Sequence, residues 1–362
     1  MIAAAVFLAT YLAIAAGRVP FVRVGRTGAA VTGAVLMILT GTIGLADAAR
    51  AVDYRTLALL VAMMALAAPL RLGGVFDRLV RALGARVTHP AAVLAGLVVI
   101  AGALSAVLLN DTICVVFTPV VMELAALRGH RPLPYLLALA TASNIGSVAT
   151  IVGNPQNMLI GTVSGVGFWR FAAALTPVAA AGLAIDAAIL WLVFRGELHP
   201  QPSDARPLAP LAAPRRIAAS DVVRSIDWNL LLLFVGLFVV VGAAERAGID
   251  GRLFELLRPL GTGTIAGLSA TAAVLSNLVS NVPAVMLFAP LVPRLPDPPR
   301  AWLALAMAST LAGNLTIVGS IANLIVVEGA RRRGAHVSFG DYVKVGVPVT
   351  VLTMAFGVWW IG

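Results

Sequence analysis

Long apolar runs separated by short polar loops follow one another along the whole chain. The predicted apolar segments are 2–17, 28–46, 56–70, 91–109, 113–127, 133–166, 171–194, 228–244, 264–275, 283–292, 301–328 and 342–361. A helix needs about 17–25 apolar residues to cross a bilayer. Several runs have this length, whereas others are too short or too long for one crossing. The pattern predicts an all-α, polytopic membrane protein with irregular segments inside the membrane.

The two halves of the chain resemble each other. "LLNDTICVVFTPVV" in the first half matches "LVSNVPAVMLFAPLV" in the second, and "ASNIGSVATIVGNPQN" matches "ASTLAGNLTIVGSIAN" further along. Upstream, the amphipathic segment 71–84 matches 246–261. Between the halves, residues 196–227 are polar and rich in proline, as is typical of a linker. Matched blocks in the same order predict a duplicated transporter fold.

The basic residues predict the orientation of the segments. We expect the N-terminus and the C-terminus to lie outside a plasma (inner) membrane, and loop 195–227 to lie inside. With this orientation, most Lys and Arg fall in cytoplasmic loops, as is typical of membrane proteins. This assignment requires 91–127 and 264–292 to be re-entrant hairpins, which open to opposite sides. The two halves are then inverted repeats. The alternative is two ordinary spanning helices in each block, because 91–109 alone has the length to cross.

The predicted organisation follows from these boundaries. It comprises N-terminal scaffold helices (1–55), a first repeat (56–195) with hairpin 91–127 and discontinuous helix 133–166, a cytoplasmic linker (196–227), and a second, inverted repeat with the last helix (228–362), containing hairpin 264–292 and discontinuous helix 301–328.

Four polar breaks interrupt the apolar sequence at matched places: "LNDT", "SNIGSVATIVGNPQN", "SNVP" and "STLAGNLTIVGSIAN". Irregular backbone is tolerated at membrane depth only inside protein or along a wet cavity. The breaks therefore predict one shared central cavity. Helix N-termini that face it would stabilise an anion, whereas free carbonyls and Asn, Ser and Thr oxygens suit Na⁺.

The breaks supply the candidate site residues. The predicted substrate-binding residues are Asn110, Thr112, Asn144, Asn154, Gln156, Asn157, Ser280, Asn281, Thr310, Asn314, Ser320 and Asn323. The predicted coupling-ion residues are Asp111, Ser143, Asn144, Gly153 and Asp186, with a possible Na⁺ near Asn110, Asp111, Ser143 and Asn144.

The two acidic candidates have open alternatives. A carboxylate near mid-membrane is costly unless it is paired, protonated or bound to a cation, which makes Asp111 a candidate for cation or proton coupling. Alternatively, Asp111 is a neutral N-cap for a helix beginning near Ile113. Asp186 is either a second proton site or the partner of an Arg from a neighbouring segment.

Composition narrows the function classes. Hydrophobic residues make up 60% of the chain and charged residues 12%, and the mean hydropathy is +0.96, which excludes a soluble domain. The net charge of +10 comes from scattered Arg without interleaved aromatics, so no nucleic-acid partner is expected. The single cysteine, Cys114, excludes a multi-cysteine metal site. No HExxH or GxSxG string is present, so we expect no enzyme activity and no cofactor apart from a possible Na⁺.

"NDTICVVFTP", "ASNIGSVATIVGNPQNMLIGTVSG" and "SNVPAVMLFAP" together resemble the ion transporter superfamily. The similar branch contains arsenite permeases, sodium/proton antiporters and anion permeases related to citrate and dicarboxylate symporters. The resemblance implies that the hairpin tips (110–112 and 280–283) and the unwound middles (143–157 and 309–323) form the substrate and ion sites. It also implies an elevator movement against a homodimeric scaffold.

The resemblance and the residues together predict a secondary active transporter. The second tip reads Ser-Asn-Val-Pro and the second unwound middle Gly-Ser-Ile-Ala-Asn, which departs from dicarboxylate symporters and weighs against di- and tricarboxylates. We therefore expect a small anion or an oxyacid such as arsenite, carried with H⁺ or Na⁺. The alternative is a sodium/proton antiporter that uses Asp111 and Asp186.

Overall fold

The structure is a computed structural model that describes residues 2–16, 25–75, 78–79, 82, 87, 89–127, 129–198 and 217–362. Every regular element in this part of the chain is a helix. The α-helices are α1 (Ile2–Ala16), α2 (Arg26–Leu39), α3 (Leu45–Ala51), α4 (Tyr54–Leu72), α5 (Pro90–Val107), α6 (Asn110–Leu127), α7 (Leu133–Ser147), α8 (Pro155–Val163), α9 (Phe168–Phe194), α10 (Ala219–Arg224), α11 (Trp228–Arg246), α12 (Ile249–Leu257), α13 (Ile265–Val279), α14 (Asn281–Phe288), α15 (Pro298–Leu311), α16 (Ile321–Arg331) and α17 (Phe339–Ile361).

Five of the described helices, α4, α5, α9, α11 and α17, are long and apolar enough to cross a membrane. The prediction of an all-α polytopic membrane protein is confirmed. Most of linker 196–227 and several residues of the amphipathic segment 71–84 lie outside the described residues, whereas the match of that segment in the second half forms α12.

Both long apolar runs are interrupted, as the sequence predicts. Run 133–166 forms α7 and α8, which are separated by a 3₁₀ turn at Ile151–Gly153. Run 301–328 forms α15 and α16, with 3₁₀ turns at Ala312–Asn314 and Ile317–Gly319 between them. The polar strings therefore mark the places where the helices stop.

Three sequence-based boundaries are wrong. Run 28–46 is not one segment, because α2 ends at Leu39 and a turn through Gly41, with φ of +71°, precedes α3. Helix α6 begins at Asn110 rather than near Ile113, so Asn110, Asp111 and Thr112 form its first turn instead of capping it. Its 18 residues give a length of about 27 Å, longer than predicted.

Helix α14 also begins earlier than predicted, at Asn281, so that Pro283 occupies the third helical position. A proline is tolerated there because the first N–H groups of a helix have no intrahelical partner.

The helices form two packed groups. Helix α2 packs along α11 and against α1, while α7 packs along α5, α6 and α9. Helices α7 and α5 approach each other closely: a Cβ atom built on Gly146 would lie 2.0 Å from the Gly102 carbonyl oxygen. Small residues at membrane helix contacts allow such backbone approach. Direct contact between these two helices fixes the position of the break at the end of α7.

Side-chain contacts between distant helix ends fall into two sets. One set joins the ends that the sequence places inside: Arg71 with Ser225, Thr27 with Asn229, and Arg131 with Glu197. The other set joins ends placed outside: Arg246 with Asp47, Arg294 with Asp250, and Arg300 with the Gly362 carbonyl. None of these contacts joins the two sets. Each of these contacts therefore joins helix ends that the prediction places on the same side of the membrane.

Candidate functional site

The two helix breaks have the same local geometry. Thr150 has φ and ψ of −138° and 163°, and its match Thr316 has −139° and 161°. After one 3₁₀ turn, Asn154 and Ser320 are again extended and precede α8 and α16. The same string of backbone angles in both halves supports the sequence match between them.

One asparagine closes each break. Asn157 Nδ2 donates to the carbonyl oxygens of Ser147 (3.0 Å) and Thr150 (3.2 Å). Its match, Asn323, donates to two carbonyls of the other break at 2.7 and 3.1 Å. Carbonyls freed at a break must find partners inside a membrane protein. Both amide hydrogens of Asn157 and Asn323 are therefore used to hold the unwound backbone.

Asn144, at the end of α7, connects the two breaks. Its Nδ2 donates to Asn314 Oδ1 (2.8 Å) and Asn323 Oδ1 (3.0 Å). Its Oδ1 accepts from Asn110 Nδ2 (2.9 Å) and Ser320 Oγ (3.0 Å). Asn144 is completely buried, and these four bonds use the whole capacity of its side chain. We call Asn110, Asn144, Asn314, Ser320 and Asn323 the asparagine cluster.

Backbone carbonyls fix the orientation of the amides in the asparagine cluster. Asn323 Nδ2 faces carbonyls, and Asn314 Nδ2 donates to the Thr141 carbonyl at 3.1 Å. A carbonyl only accepts, so the oxygens of both side chains must face Asn144 Nδ2. Asn144 Oδ1 then faces Asn110 Nδ2. The remaining atom, Asn110 Oδ1, is buried and has no hydrogen-bond partner among the described residues.

The second hairpin tip reaches the same place. A Cβ atom built on Gly313 would lie 3.6 Å from Asn144 Nδ2 and 3.6 Å from Asn281 Nδ2. Asn281 is the match of Asn110 in the second half. Its Oδ1 is also buried without a partner among the described residues. Each tip therefore brings one unpaired amide oxygen to the region around Asn144.

Ser280, before the second tip helix, has a strained backbone. Its φ is 80° and its ψ is 159°, a region that is essentially restricted to glycine. We expect Ser280→Gly to raise the free energy of unfolding by about 1 kcal/mol, because it removes this strain. Thermal unfolding in detergent measures the effect. The control is Ser276→Gly inside α13, which should lower stability by about 1 kcal/mol; equal changes in both variants would contradict the assignment of strain.

The other predicted substrate residues are held by protein partners or stand apart. Gln156 Nε2 donates to Thr310 Oγ1 (3.0 Å), and Thr310 donates to Asn157 Oδ1 (3.3 Å). Asn154 Nδ2 is 3.3 Å from Ser147 Oγ. Thr112 is half-buried in the first turn of α6 and makes no side-chain hydrogen bond to a described residue.

The predicted coupling residues have different surroundings. Ser143 Oγ donates to the Ala140 carbonyl (2.9 Å) and contacts Cys114 Sγ (3.1 Å). Gly153 allows close packing, since a Cβ there would lie 2.5 Å from the Ser147 carbonyl oxygen. Asp111 is half-buried, with no side-chain hydrogen bond or ion pair to a described residue.

These contacts bear on the predicted Na⁺ position. Of its four residues, Ser143 and Asn144 already use their oxygens in protein hydrogen bonds, whereas Asn110 Oδ1 is unpaired. The Na⁺ position near these four residues stays a prediction, with Asn110 Oδ1 as the acceptor that has no partner among the described residues.

Asp186 lies apart from the asparagine cluster and is completely buried in α9. The hydroxyl of Thr141 lies 3.0 Å from Asp186 Oδ2. No ion pair with a described Arg or Lys forms, which favours the proton-site interpretation over pairing with an Arg.

Sequence reasoning missed Thr141, Asn277 and Tyr342. Asn277 Nδ2 donates to the Ala312 carbonyl (2.8 Å), and its Oδ1 accepts from Thr316 (3.1 Å), so it supports the second break. An Asn inside the apolar arm "VLSNLV" was the available signal. Thr141 and Tyr342 are single hydroxyl residues in apolar helices, and such residues are too common to single out.

The comparison with known proteins decides the family. The family model for citrate transporters, CitMHS, matches residues 11–297. The chain belongs to this citrate transporter family. The silicon efflux transporter LSI3 of Oryza sativa subsp. japonica is 30% identical, over 95% of this chain and 94% of its own. The inner membrane protein YbiR of Escherichia coli is 30% identical, over 78% and 82%. The putative transporter arsB of Dictyostelium discoideum is 24% identical, over 92% and 87%.

Membership in the CitMHS family confirms the resemblance to the ion transporter superfamily. It also confirms that the chain is a transporter rather than an enzyme, with an ion or a small molecule as its substrate. Its family match covers both hairpins and the first break.

Proposed function

We propose that this protein is a secondary active transporter for a small hydroxylated oxyacid, which binds where the two hairpin tips meet Asn144. The observation that carries the proposal is the buried, unpaired Oδ1 of Asn110, together with the unpaired Oδ1 of its match Asn281. Leaving a buried acceptor unpaired costs about 1–3 kcal/mol. A ligand that donates hydrogen bonds to both oxygens recovers this cost.

The chemistry of the cluster favours a neutral oxyacid over a polycarboxylate. An undissociated oxyacid offers several hydroxyl donors in a small volume, which suits the two amide oxygens. No Lys or Arg belongs to the asparagine cluster, so a citrate ion would find no compensating charge there. The similarity to a silicon efflux transporter agrees with this chemistry.

The depth of the hairpin tips supports their re-entrant placement. Asn144 is the twelfth residue of α7, about 17 Å from its first residue, which is about half of a hydrocarbon core of about 30 Å. The tip residue Asn110 bonds to Asn144 directly, at the same depth. A hairpin that ends at mid-membrane enters and leaves on the same side. With one such hairpin in each half, the two halves have opposite orientations and are inverted repeats. The N-terminus and the C-terminus would then be outside and linker 196–227 inside.

A cleft supports movement of one helix group against the other. It has a volume of about 300 Å³ and lies between α11, represented by Phe238 and Val241, and the ends of α8, α14 and α15, represented by Val163, Met286 and Trp302. Apart from Asp53 and Glu245 this lining is apolar, so sliding along it breaks no hydrogen bonds between the apolar side chains. An elevator movement would carry the asparagine cluster past α11. The homodimer implied by the resemblance stays a prediction, as does placement in the plasma (inner) membrane.

Flux through proteoliposomes tests the proposed function. The purified chain is reconstituted, and silicic acid, arsenite and citrate are each loaded, with H⁺ or Na⁺ gradients imposed. We expect silicic acid or arsenite to leave the vesicles faster than from protein-free vesicles, with acceleration by one of the two gradients. Citrate flux without oxyacid flux would contradict the proposal. Exchange of Na⁺ for H⁺ without either oxyacid would favour the antiporter alternative.

A further inference from the structure

The hydroxyl group of Thr141 has two competing hydrogen-bond partners. Thr141 Oγ1, on α7, is 2.8 Å from the Leu137 carbonyl oxygen and 3.0 Å from Asp186 Oδ2. Thr141 and Asp186 are both completely buried. The Leu137 carbonyl can only accept, and a hydroxyl has one hydrogen to donate.

The number of hydrogens available for these two contacts indicates that Asp186 carries a proton. If Asp186 is ionised, Thr141 must donate to the carboxylate and leave the Leu137 carbonyl without this bond. If Asp186 carries a proton on Oδ2, it donates to Thr141 Oγ1, and Thr141 donates to Leu137. Only the protonated carboxyl satisfies both short contacts at once.

The surroundings of Asp186 agree with a neutral carboxyl group. Helix α9 packs against α5, α7, α15, α17 and the 3₁₀ turn at Ile151–Gly153. The titratable or charged residues on these elements, and on α9 itself, are Tyr135, Arg170, Arg300, Asp341, Tyr342 and Lys344. The basic residues in this set, Arg170, Arg300 and Lys344, are all exposed. An ionised Asp186 would therefore lack a buried counter-ion, which is costly inside a membrane.

Tyr342 offers a route between Asp186 and the surface. It is 1% exposed, and its hydroxyl has no hydrogen-bond partner among the described residues. Its helix, α17, packs along α9, the helix that carries Asp186. Tyr342 is the fourth residue of α17, next to the half-buried Asp341 at the end of the helix.

Thr141 bonds directly to the asparagine cluster, and Asn144 is two hydrogen bonds away from it. The Thr141 carbonyl accepts from Asn314 Nδ2 at 3.1 Å, and Asn314 Oδ1 accepts from Asn144 Nδ2 at 2.8 Å. The backbone carbonyl of Thr141, in the middle of α7, is therefore connected through Asn314 to the residue that joins the two breaks.

We propose that Asp186, Thr141 and Tyr342 form a proton site that couples H⁺ movement to transport, with Asp186 protonated in this conformation. This inference rests on the proposed transport function. When the proton is released, the O–H bond of the Asp186 carboxyl breaks and the proton passes to water at the α17 end. The hydroxyls of Thr141 and Tyr342 then both donate to the carboxylate. Uptake of a proton reverses these steps.

Asp186→Asn separates proton coupling from substrate binding. The amide can donate to Thr141 as the protonated acid does, but it has no proton to release. With silicic acid and arsenite as probes, we expect flux driven by a pH gradient to fall at least 10-fold. Exchange with equal concentrations on both sides should stay within about 2-fold of the wild-type rate. Asp297→Asn, at the exposed start of α15, is the matched control and should change neither rate.

Two further variants keep the test independent of one substitution. Thr141→Val removes the hydroxyl at nearly constant volume, and Tyr342→Phe removes only the phenolic oxygen. We expect each to slow gradient-driven flux more than exchange. If Asp186→Asn, Thr141→Val and Tyr342→Phe all retain wild-type gradient-driven flux, the coupling role is overturned.

An infrared titration of the purified protein gives a readout that needs no transported substrate. We expect the carbonyl stretch of a protonated carboxyl group at neutral pH, its loss on alkalinisation, and its absence in Asp186→Asn but not in Asp297→Asn. A spectrum without an Asp186-dependent carboxyl band at neutral pH would overturn the proton site. Absence of any oxyacid flux with this band present would instead contradict the proposed substrate and leave the protonated Asp186 established.

Discussion

Asn144→Ala should lower silicic acid or arsenite flux on the order of 100-fold. The substitution removes four hydrogen bonds at once and leaves Asn110, Asn314 and Asn323 with unpaired buried groups. Each such group costs about 1–3 kcal/mol, and about 1.4 kcal/mol corresponds to a tenfold change in rate. Initial rates in proteoliposomes, normalised to the amount of reconstituted protein, measure the loss.

The control for Asn144→Ala is Asn229→Ala. Asn229 is exposed at the start of α11, where its backbone carbonyl accepts from Thr27. This variant should transport at the wild-type rate. Size-exclusion chromatography checks that both variants are folded. Wild-type flux through folded Asn144→Ala would show that the asparagine cluster is not needed for transport.

Gly146→Ala should cause the largest loss of stability among single methyl additions. The new Cβ would lie 2.0 Å from the carbonyl oxygen and 2.4 Å from the Cα atom of Gly102. Both atoms belong to the backbone of α5, so no side chain can rotate away and α5 must separate from α7. Such overpacking costs about 3 kcal/mol or more. We expect a lower yield of monodisperse protein and a lower midpoint of thermal unfolding in detergent.

Gly263→Ala is the matched glycine substitution. A Cβ atom at Gly263 meets no heavy atom within 4 Å, so its thermal midpoint should equal that of the wild type. Equal midpoints for Gly146→Ala and the wild type would show that α5 and α7 are not in direct backbone contact.

The position of the helix breaks could be predicted from the sequence, because polar strings inside apolar runs have few structural explanations. The match of Asn157 with Asn323 was also visible, and the two side chains make equivalent hydrogen bonds. Helix starts were harder: Asn110 favours a cap by its residue type, yet it lies inside α6. Local preferences alone do not decide between the cap and the first turn.

The partners of the site residues could not be predicted. Asn144 bonds to Asn314 and Asn323, which are 170 and 179 residues away in the sequence. This contact depends on how the two halves pack, and no local pattern contains that information. For the same reason Thr141 had no visible role, since its importance comes from Asp186 on another helix.

Binding of the transported oxyacid to the purified chain tests the central claim most directly. The ligand is silicic acid or arsenite, whichever the protein transports in vesicles. Equilibrium dialysis measures the amount of this ligand bound per chain for the wild type, Asn144→Ala and Asn229→Ala. We predict saturable binding to the wild type and to Asn229→Ala, and at least a 10-fold weaker affinity for folded Asn144→Ala. Equal affinities for all three chains would place the substrate outside the asparagine cluster and contradict the account.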